Sequence, residues 1–123
     1  MIHHISIGTK DIAAARKFYD ATLAPLGYKC LSEAGEYLGY GGDEPAFWVL
    51  SVKQPVKPNE ASGLHVCLDA GSRKAVDAFH AAAVRSGGKD NGKPGLRKDY
   101  GDNYYAAFVV DPDGYRLEAY ASA

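Results

Sequence analysis

The sequence has few of the residues that crosslink or anchor a small protein, with two cysteines and one methionine among 123 residues. Cys30 and Cys67 belong to no Cys-rich metal motif, so they predict reduced thiols in a cytoplasmic protein. No apolar stretch is long enough to span a bilayer, and residues 1–7 lack the layout of a signal peptide. The net charge is −1 and no basic run occurs, which indicates no nucleic-acid partner and no membrane partner.

What the chain does contain is consistent with one packed domain. Apolar residues make up 46% of the sequence, which is enough to form a core at this length. The proline-rich, polar stretch 55–62 reads as a linker inside that domain. It divides the chain into a first module at about 1–54 and a second module at about 63–123.

Each module is predicted to contain a strand, then a helix, then further strands. Asp11 and Ser72 are the predicted N-caps, because an aspartate or serine precedes a run with helical spacing of apolar residues. The stretch 89–103 is glycine-rich and charged, and predicts a loop with at most one short strand. The predicted first strands and helices are 2–8 and 12–23 in the first module, and 64–68 and about 72–86 in the second.

The two modules also repeat residue by residue. Phe18 follows His4 by the same interval at which Phe79 follows His65. Further along the chain, the repeat matches Leu50 with Glu118, once a longer loop is allowed in the second module. This internal repeat indicates two copies of one supersecondary unit.

Glu118 is predicted to lie within the last strand of the chain. The segment Asp111-Pro-Asp-Gly114 before it has the proline and glycine of a tight turn, with apolar runs on both sides, and so predicts a β-hairpin. A carboxylate in the middle of such a strand is costly unless it is paired, hydrogen-bonded or bound to a metal.

Alternation along the strands places His4, His65 and Glu118 on one face of the predicted sheet, opposite the apolar side chains that pack on the helices. Two imidazoles and one carboxylate are the ligands of a facial triad that leaves metal positions open. Each residue alone has another reading, as a packed histidine or an exposed glutamate. In a regular hairpin, Tyr105 and Ala107 would lie beside Glu118 on the same face.

The sequence resembles the vicinal oxygen chelate superfamily, the group of glyoxalases, bleomycin-resistance proteins and dioxygenases. The likeness is carried by His4-Ile-Ser-Ile, His65-Val-Cys-Leu and Tyr104-Tyr-Ala-Ala-Phe-Val-Val-Asp-Pro-Asp-Gly-Tyr-Arg-Leu-Glu118. The resemblance implies an α+β fold of two βαβββ modules that form a cupped mixed sheet. It also implies a divalent metal (Fe, Mn, Zn, Ni or Co) at the positions of His4, His65 and Glu118, and a homodimer that sometimes exchanges modules.

The resemblance implies a metal-dependent enzyme that acts on a small oxygen-chelating substrate, as a lyase, a thiol transferase or a dioxygenase, with Glu118 as the candidate catalytic residue. Leu50 argues against glyoxalase I activity, because glyoxalase I enzymes carry an acidic ligand at the matching position. The alternative is a metal-free protein that binds or sequesters a small molecule, as bleomycin-resistance proteins do. The candidate substrate-binding residues are Trp48, Arg97, Tyr105, Arg116 and Tyr120.

Overall fold

The computed structural model describes residues 1–123 and contains two four-stranded sheets and two α-helices. The strand orders are β1-β4-β3-β2 and β5-β8-β7-β6, so the two modules have the same topology and the predicted α+β fold is confirmed. The elements are β1 (Ile5–Thr9), α1 (Ile12–Leu23), β2 (Lys29–Ala34), β3 (Tyr37–Gly41), β4 (Pro45–Ser51), β5 (His65–Asp69), α2 (Arg73–Arg85), β6 (Lys89–Leu96), β7 (Tyr105–Val110) and β8 (Arg116–Ala121).

Both helices begin at the predicted N-caps. The Asp11 side chain accepts a hydrogen bond from the backbone N–H of Ala14 at 3.0 Å. The Ser72 hydroxyl accepts one from the N–H of Ala75 at 3.1 Å. Each cap satisfies an amide that has no partner within its helix, which fixes where the helix starts.

The prediction of a loop with at most one short strand at 89–103 is wrong for its first half, where β6 extends over eight residues. β6 pairs antiparallel with β7 through two register shifts. It is an edge strand, and an edge strand tolerates the proline at Pro94 because one side of its backbone makes no sheet hydrogen bonds. Gly92 is required for close approach, since a Cβ there would lie 2.8 Å from the Phe108 ring.

The core is formed by the helix-facing sides of both sheets together with the helices. Phe18 and Phe79, each the seventh residue of its helix, are both 0% exposed. A single cluster of 20 buried residues includes side chains from both modules. Neither helix has the length and apolar character that a membrane crossing requires.

Strand register corrects one correspondence of the repeat. β1 runs parallel to β4 with Ser6 opposite Trp48, and β5 runs parallel to β8 with Cys67 opposite Glu118. Since Ser6 and Cys67 follow the two repeated histidines at equal distances, Trp48 and not Leu50 occupies the place of Glu118. The two hairpins differ in turn geometry, and β3 carries a register shift near its turn, which residue spacing does not reveal.

Two tyrosines connect the modules. The hydroxyl of Tyr19 in α1 donates a 2.5 Å hydrogen bond to Asp111 Oδ2, in the turn between β7 and β8. The hydroxyl of Tyr115 donates a 2.8 Å hydrogen bond to the carbonyl of Gly8, at β1. Because Tyr19, Asp111 and Tyr115 are all at most 3% exposed, these bonds form in a low-dielectric environment, where losing a partner is costly.

Candidate functional site

Glu118 lies at the centre of a polar cluster on the face of the second sheet that points away from the helices. Its Oε1 lies 2.8 Å from His65 Nε2, and its Oε2 accepts a 2.5 Å hydrogen bond from the Tyr104 hydroxyl. Adjacent parallel strands, β5 and β8, bring the histidine and the carboxylate together. The sequence prediction that His65 and Glu118 share one face is therefore confirmed.

The carboxylate of Glu118 is buried without a full counter-charge. Glu118 is 4% exposed. His65 is the one basic side chain within 4 Å of its carboxylate. A carboxylate has about four acceptor sites, and the contacts with His65 and Tyr104 use two of them. A buried anion with free acceptor sites beside an imidazole is a donor set that suits a divalent cation.

Two groups near Glu118, the thiol of Cys67 and the hydroxyl of Tyr104, have raised pKa values. Although Cys67 is exposed, partial desolvation of its thiol, followed by the nearby Glu118 charge, raises its pKa to about 11. Burial and the hydrogen bond to Glu118 raise the pKa of the Tyr104 hydroxyl well above its usual range. At neutral pH Tyr104 therefore keeps its proton and donates a hydrogen bond to the carboxylate, while Cys67 remains a protonated thiol.

His4 does not join this cluster within one chain, so the predicted convergence of His4, His65 and Glu118 is wrong for the single chain. No group of three His, Cys, Asp or Glu side chains is arranged to hold a metal ion. His4 Nδ1 instead lies 2.8 Å from His3 Nδ1, and His3 Nε2 lies 3.1 Å from Glu44 Oε1. His4 lies on the exposed face of the first sheet, and His65 and Glu118 lie on the corresponding face of the second sheet. The relative position of the two modules therefore keeps His4 away from the other two residues.

His4 borders two concave surfaces. One is an open cavity of about 390 Å³ on the exposed face of the first sheet, which Ser6, Trp48 and Leu50 also line. The other is a mainly apolar groove of about 510 Å³ at the junction of the modules, which His65 also lines. His4 is therefore accessible from outside the chain on both sides.

The faces predicted for the last hairpin are wrong by one residue. Phe108 lies opposite Glu118, and Ala107 lies opposite Ala119 on the helix side. Five residues separate the paired residues Val110 and Arg116, and a change of one residue in a turn exchanges the two faces of a strand. A large aromatic ring, rather than the small side chain that was predicted, therefore lies beside Glu118.

The same shift removes Tyr105 from the predicted substrate-binding set. Its hydroxyl donates a 2.6 Å hydrogen bond to Asp77 of α2, and the Arg73 guanidinium lies 5.2 Å from the centre of its ring. Both partners belong to the helix layer. Tyr105 therefore faces away from Glu118 and holds α2 against the sheet.

Three of the other predicted residues lie near the polar cluster. The Tyr120 ring packs against the Tyr104 ring at a tilted angle, with ring centres 4.3 Å apart. The Arg97 guanidinium lies 5.2 Å from the centre of the Phe108 ring, and Arg116 precedes Glu118 by two residues on the same side of β8. Trp48 lies instead on the exposed face of the first sheet, in the cavity with His4.

Two residues of the cluster were not singled out from the sequence. Tyr104 donates to Glu118, and the Phe108 ring lies 5.9 Å from the His65 ring. Both could have been found from the alternation of side chains in β7 if the five-residue turn had been assigned correctly. The adjacent pair Tyr104-Tyr105 marks the strand, but it does not indicate which hydroxyl faces the carboxylate.

Comparisons with known proteins agree on one family. Residues 1–119 match the model of the Glyoxalase/Bleomycin resistance protein/Dioxygenase superfamily. The uncharacterized protein YqjT of Bacillus subtilis is 27% identical over 125 residues, which cover 98% of each chain.

Solved structures show the same architecture. The crystal structure of a glyoxalase/bleomycin resistance protein from Albidiferax ferrireducens is similar with a TM-score of 0.81 and 30% identity, over 95% of this chain and 94% of that one. A V278E mutant of glyoxalase I from Zea mays is similar in fold, with a TM-score of 0.68 and 20% identity, over 97% of this chain and 45% of that one.

Proposed function

The chain belongs to the Glyoxalase/Bleomycin resistance protein/Dioxygenase superfamily, and on this basis we propose that it is a divalent-metal-dependent enzyme that acts on a small oxygen-chelating substrate. The observation that carries the proposal is the buried Glu118 carboxylate beside His65, with no lysine or arginine within ion-pair distance of it. Keeping an anion out of water is unfavourable unless a cation balances it, and in this arrangement a metal ion can supply the missing charge.

The residues proposed to hold the ion are His65, through Nε2, Glu118 and His4. A bound divalent ion supplies Lewis-acid stabilisation of an oxyanion on the substrate, or oxygen activation if the ion is Fe(II). Tyr104 has a separate role, because its hydroxyl fixes the orientation of the carboxylate and keeps its own proton at neutral pH. Glu118 is the candidate base of the reaction, since it is the one carboxylate at the centre of the cluster.

We propose that a second copy of the chain supplies His4. One chain brings His65 and Glu118 together but leaves His4 with His3, on an exposed surface. A homodimer in which the first module of one chain faces the second module of the other would complete the set of three ligands. Dimers are common in this superfamily.

Glyoxalase I activity remains disfavoured, but the residue that argues against it is Trp48 and not Leu50. The first-module residue that occupies the place of Glu118 is Trp48, and an indole cannot serve as a fourth oxygen ligand. Leu50, two residues further along the same strand, cannot serve either. The proposal therefore covers three-ligand chemistry of the lyase, thiol transferase or dioxygenase type.

A metal-free binding protein is the second candidate, and one observation favours it. His65 and Glu118 form a direct 2.8 Å contact, so they satisfy each other in part without an ion. Aromatic rings from Tyr104, Phe108 and Tyr120 lie around them and could hold a flat ligand.

Metal analysis of the purified protein distinguishes the two functions. Protein prepared without chelators is expected to contain about one divalent ion per chain, measured by mass spectrometry of the digested protein. Removal of the ion should abolish turnover of the substrate, and its return should restore it. Less than a tenth of an ion per chain, with no metal-induced rise in melting temperature, would favour the binding protein.

Adjacent tyrosines provide a matched pair of variants. Tyr104→Phe removes the hydroxyl that orients Glu118. Loss of a residue that hydrogen-bonds a metal ligand usually lowers metal affinity, so this variant is expected to bind metal about 10- to 100-fold more weakly. Tyr105→Phe removes a hydroxyl on the helix side and should leave metal affinity unchanged. Calorimetric titration with Zn²⁺ or Co²⁺ measures both. Equal affinities for the two variants would contradict the assigned faces.

A further inference from the structure

We propose that the Glu118 face of the second module binds a conjugated or aromatic carboxylate, whose carboxylate pairs with Arg116 and Arg97 and whose flat portion lies against Phe108. This inference rests on the proposed function, because it identifies the substrate class for the same site. It is carried by two arginines without acidic partners and by the aromatic rings on the same face.

Arg116 has a donor that no group in the chain satisfies. Its Nε is buried and has no hydrogen-bond partner, and no Asp or Glu lies within ion-pair distance of its guanidinium. Arg116 lies directly opposite His65 in the parallel pair of β5 and β8. Since buried donors are normally paired, this N–H is available to a ligand that enters beside Glu118.

Arg97 approaches the same face from the segment after β6. Its guanidinium lies 5.2 Å from the centre of the Phe108 ring and donates one hydrogen bond to the carbonyl of Lys93. This bond holds the planar group in place but uses one of its five N–H donors. Like Arg116, Arg97 has no carboxylate partner within 4 Å, so its charge is not balanced within the chain.

Phe108 lies near both kinds of group. Its ring lies 5.9 Å from the His65 ring and 5.2 Å from the Arg97 guanidinium. The rings of Tyr104 and Tyr120 pack against each other at an angle of 37° and add aromatic surface beside Glu118. Aromatic surfaces of this kind favour planar ligands, which stack on them with little loss of conformational freedom.

The charge of the face selects an anion. Arg97 and Arg116 contribute two positive charges, and Glu118 contributes one negative charge next to His65. Guanidinium groups match a carboxylate through two parallel hydrogen bonds, which a neutral amide or alcohol cannot accept in the same way. The face is therefore expected to discriminate strongly between an aromatic acid and its neutral amide.

Three probes separate the two parts of the proposal: benzoate, its neutral analogue benzamide, and the non-aromatic cyclohexanecarboxylate. They are titrated into ¹⁵N-labelled protein in EDTA, and amide shifts give the dissociation constants. Benzoate should bind at least about tenfold more tightly than benzamide. Cyclohexanecarboxylate should bind more weakly than benzoate, and the shifts should cluster on β7 and β8.

Arg116→Gln should raise the dissociation constant for benzoate about tenfold and leave that for benzamide unchanged. Arg85→Gln, at the exposed end of α2, is the control for a general loss of positive charge and should bind benzoate like the wild type. Equal binding of benzoate and benzamide, wild-type benzoate binding by Arg116→Gln, or no benzoate binding up to about 50 mM would each overturn the proposal.

The metal proposal is tested separately by adding Zn²⁺ after the chelator has been removed. If benzoate does not bind but the ion does, the substrate class is wrong and the metal site stands. If benzoate binds but the ion does not, the carboxylate site stands and the metal-dependent function fails.

Discussion

Glu118→Gln is expected to abolish the metal-dependent rise in melting temperature. With Zn²⁺ or Co²⁺ at about 100 times its dissociation constant, binding should stabilise the wild type by about 2.7 kcal/mol. For a domain of this size, that corresponds to a rise of very roughly 10 °C. Loss of the carboxylate charge should weaken binding by more than about 100-fold, so the variant should rise by about 2 °C or less.

Differential scanning fluorimetry with and without metal measures the effect, and EDTA supplies the control. In EDTA the variant should melt at the same temperature as the wild type or slightly higher, because glutamine is uncharged and is easier to bury than a carboxylate. Glu36→Gln, in the exposed turn between β2 and β3, is a matched control and should keep most of the metal response. An undiminished metal response in Glu118→Gln would disprove the assigned ligand.

The shared site of the proposed dimer can be tested by mixing two inactive chains. His4→Ala and Glu118→Gln should each bind metal poorly alone. If the site forms between chains, a heterodimer of the two variants combines His4 of one chain with His65 and Glu118 of the other, and so regains one intact site. Random subunit exchange makes half of the dimers heterodimers, and each heterodimer has one intact site out of two. Recovery to about a quarter of the wild-type metal content therefore supports the shared site, and no recovery in a mixture shown to contain heterodimer would contradict it.

Asp111→Ala is expected to destabilise the protein by about 3–5 kcal/mol at pH 7, the largest effect predicted for any single substitution outside the proposed site. Asp111 Oδ1 accepts hydrogen bonds from the backbone N–H groups of Asp113 at 2.9 Å and Tyr115 at 2.8 Å, and Oδ2 accepts the Tyr19 hydroxyl. Alanine leaves three donors without partners, two of them buried and the Asp113 N–H partly buried. Urea unfolding measures the loss, and Asp113→Ala should cost less than about 0.5 kcal/mol.

Asp111→Asn separates the hydrogen bonds of this residue from its charge. The amide oxygen can still accept the two backbone N–H groups, and its NH₂ group can donate to the Tyr19 hydroxyl. Asparagine should therefore retain most of the stability that alanine loses. If Asp111→Asn is as unstable as Asp111→Ala at pH 7, the negative charge and not the hydrogen bonding holds the turn.

The same residue should give the wild type a distinct pH dependence. Burial raises the pKa of Asp111 to about 6, although the hydrogen bond from Tyr19 and those from the backbone act in the opposite direction. In the unfolded chain the value is about 3.9, so the folded state binds more protons between pH 4 and 6. The stability that comes from this proton uptake is therefore complete below about pH 4 and is lost as the pH rises through 6, while the hydrogen bonds that Asp111 accepts remain.

Comparison with Asp111→Asn isolates that contribution from all other titrating groups. The free energy of unfolding of the wild type minus that of the variant should fall by about 1–3 kcal/mol from pH 4 to pH 6, and should change little above pH 7. Urea unfolding at four pH values suffices. A difference that stays constant, or that rises with pH, would show that the pKa of Asp111 is not raised.

Local chemistry in the sequence was enough to determine the elements and their order. Asp11 and Ser72 fixed the helix starts, because a capping side chain acts on an amide three residues away. The turn at Asp111 was readable for the same reason, and Gly114 adopts the positive φ of 99° that such a turn requires. The repeated spacing of Phe18 and Phe79 indicated that the two modules are copies of one supersecondary unit.

The sequence also placed His65 and Glu118 on one face, and strand alternation was sufficient because the two strands are direct neighbours. Alternation failed in β7, where Phe108 and not Ala107 lies beside Glu118. The face of a strand depends on the number of residues in the preceding or following turn, and a change of one residue reverses it. Hydrogen bonds between Asp111 and residues 113–115 close the turn, and the sequence pattern indicated the turn without giving its exact length.

Tertiary structure alone decided which residues meet across modules. The repeat matched Leu50 with Glu118, but parallel pairing brings Trp48 to that place, because strand register is set by packing against the core and by a bulge in β3. Alternation could assign His4 to a face of its own sheet. It could not determine where that face points relative to Glu118, because the packing of α1 and α2 and the buried bonds of Tyr19 and Tyr115 set the position of one sheet relative to the other.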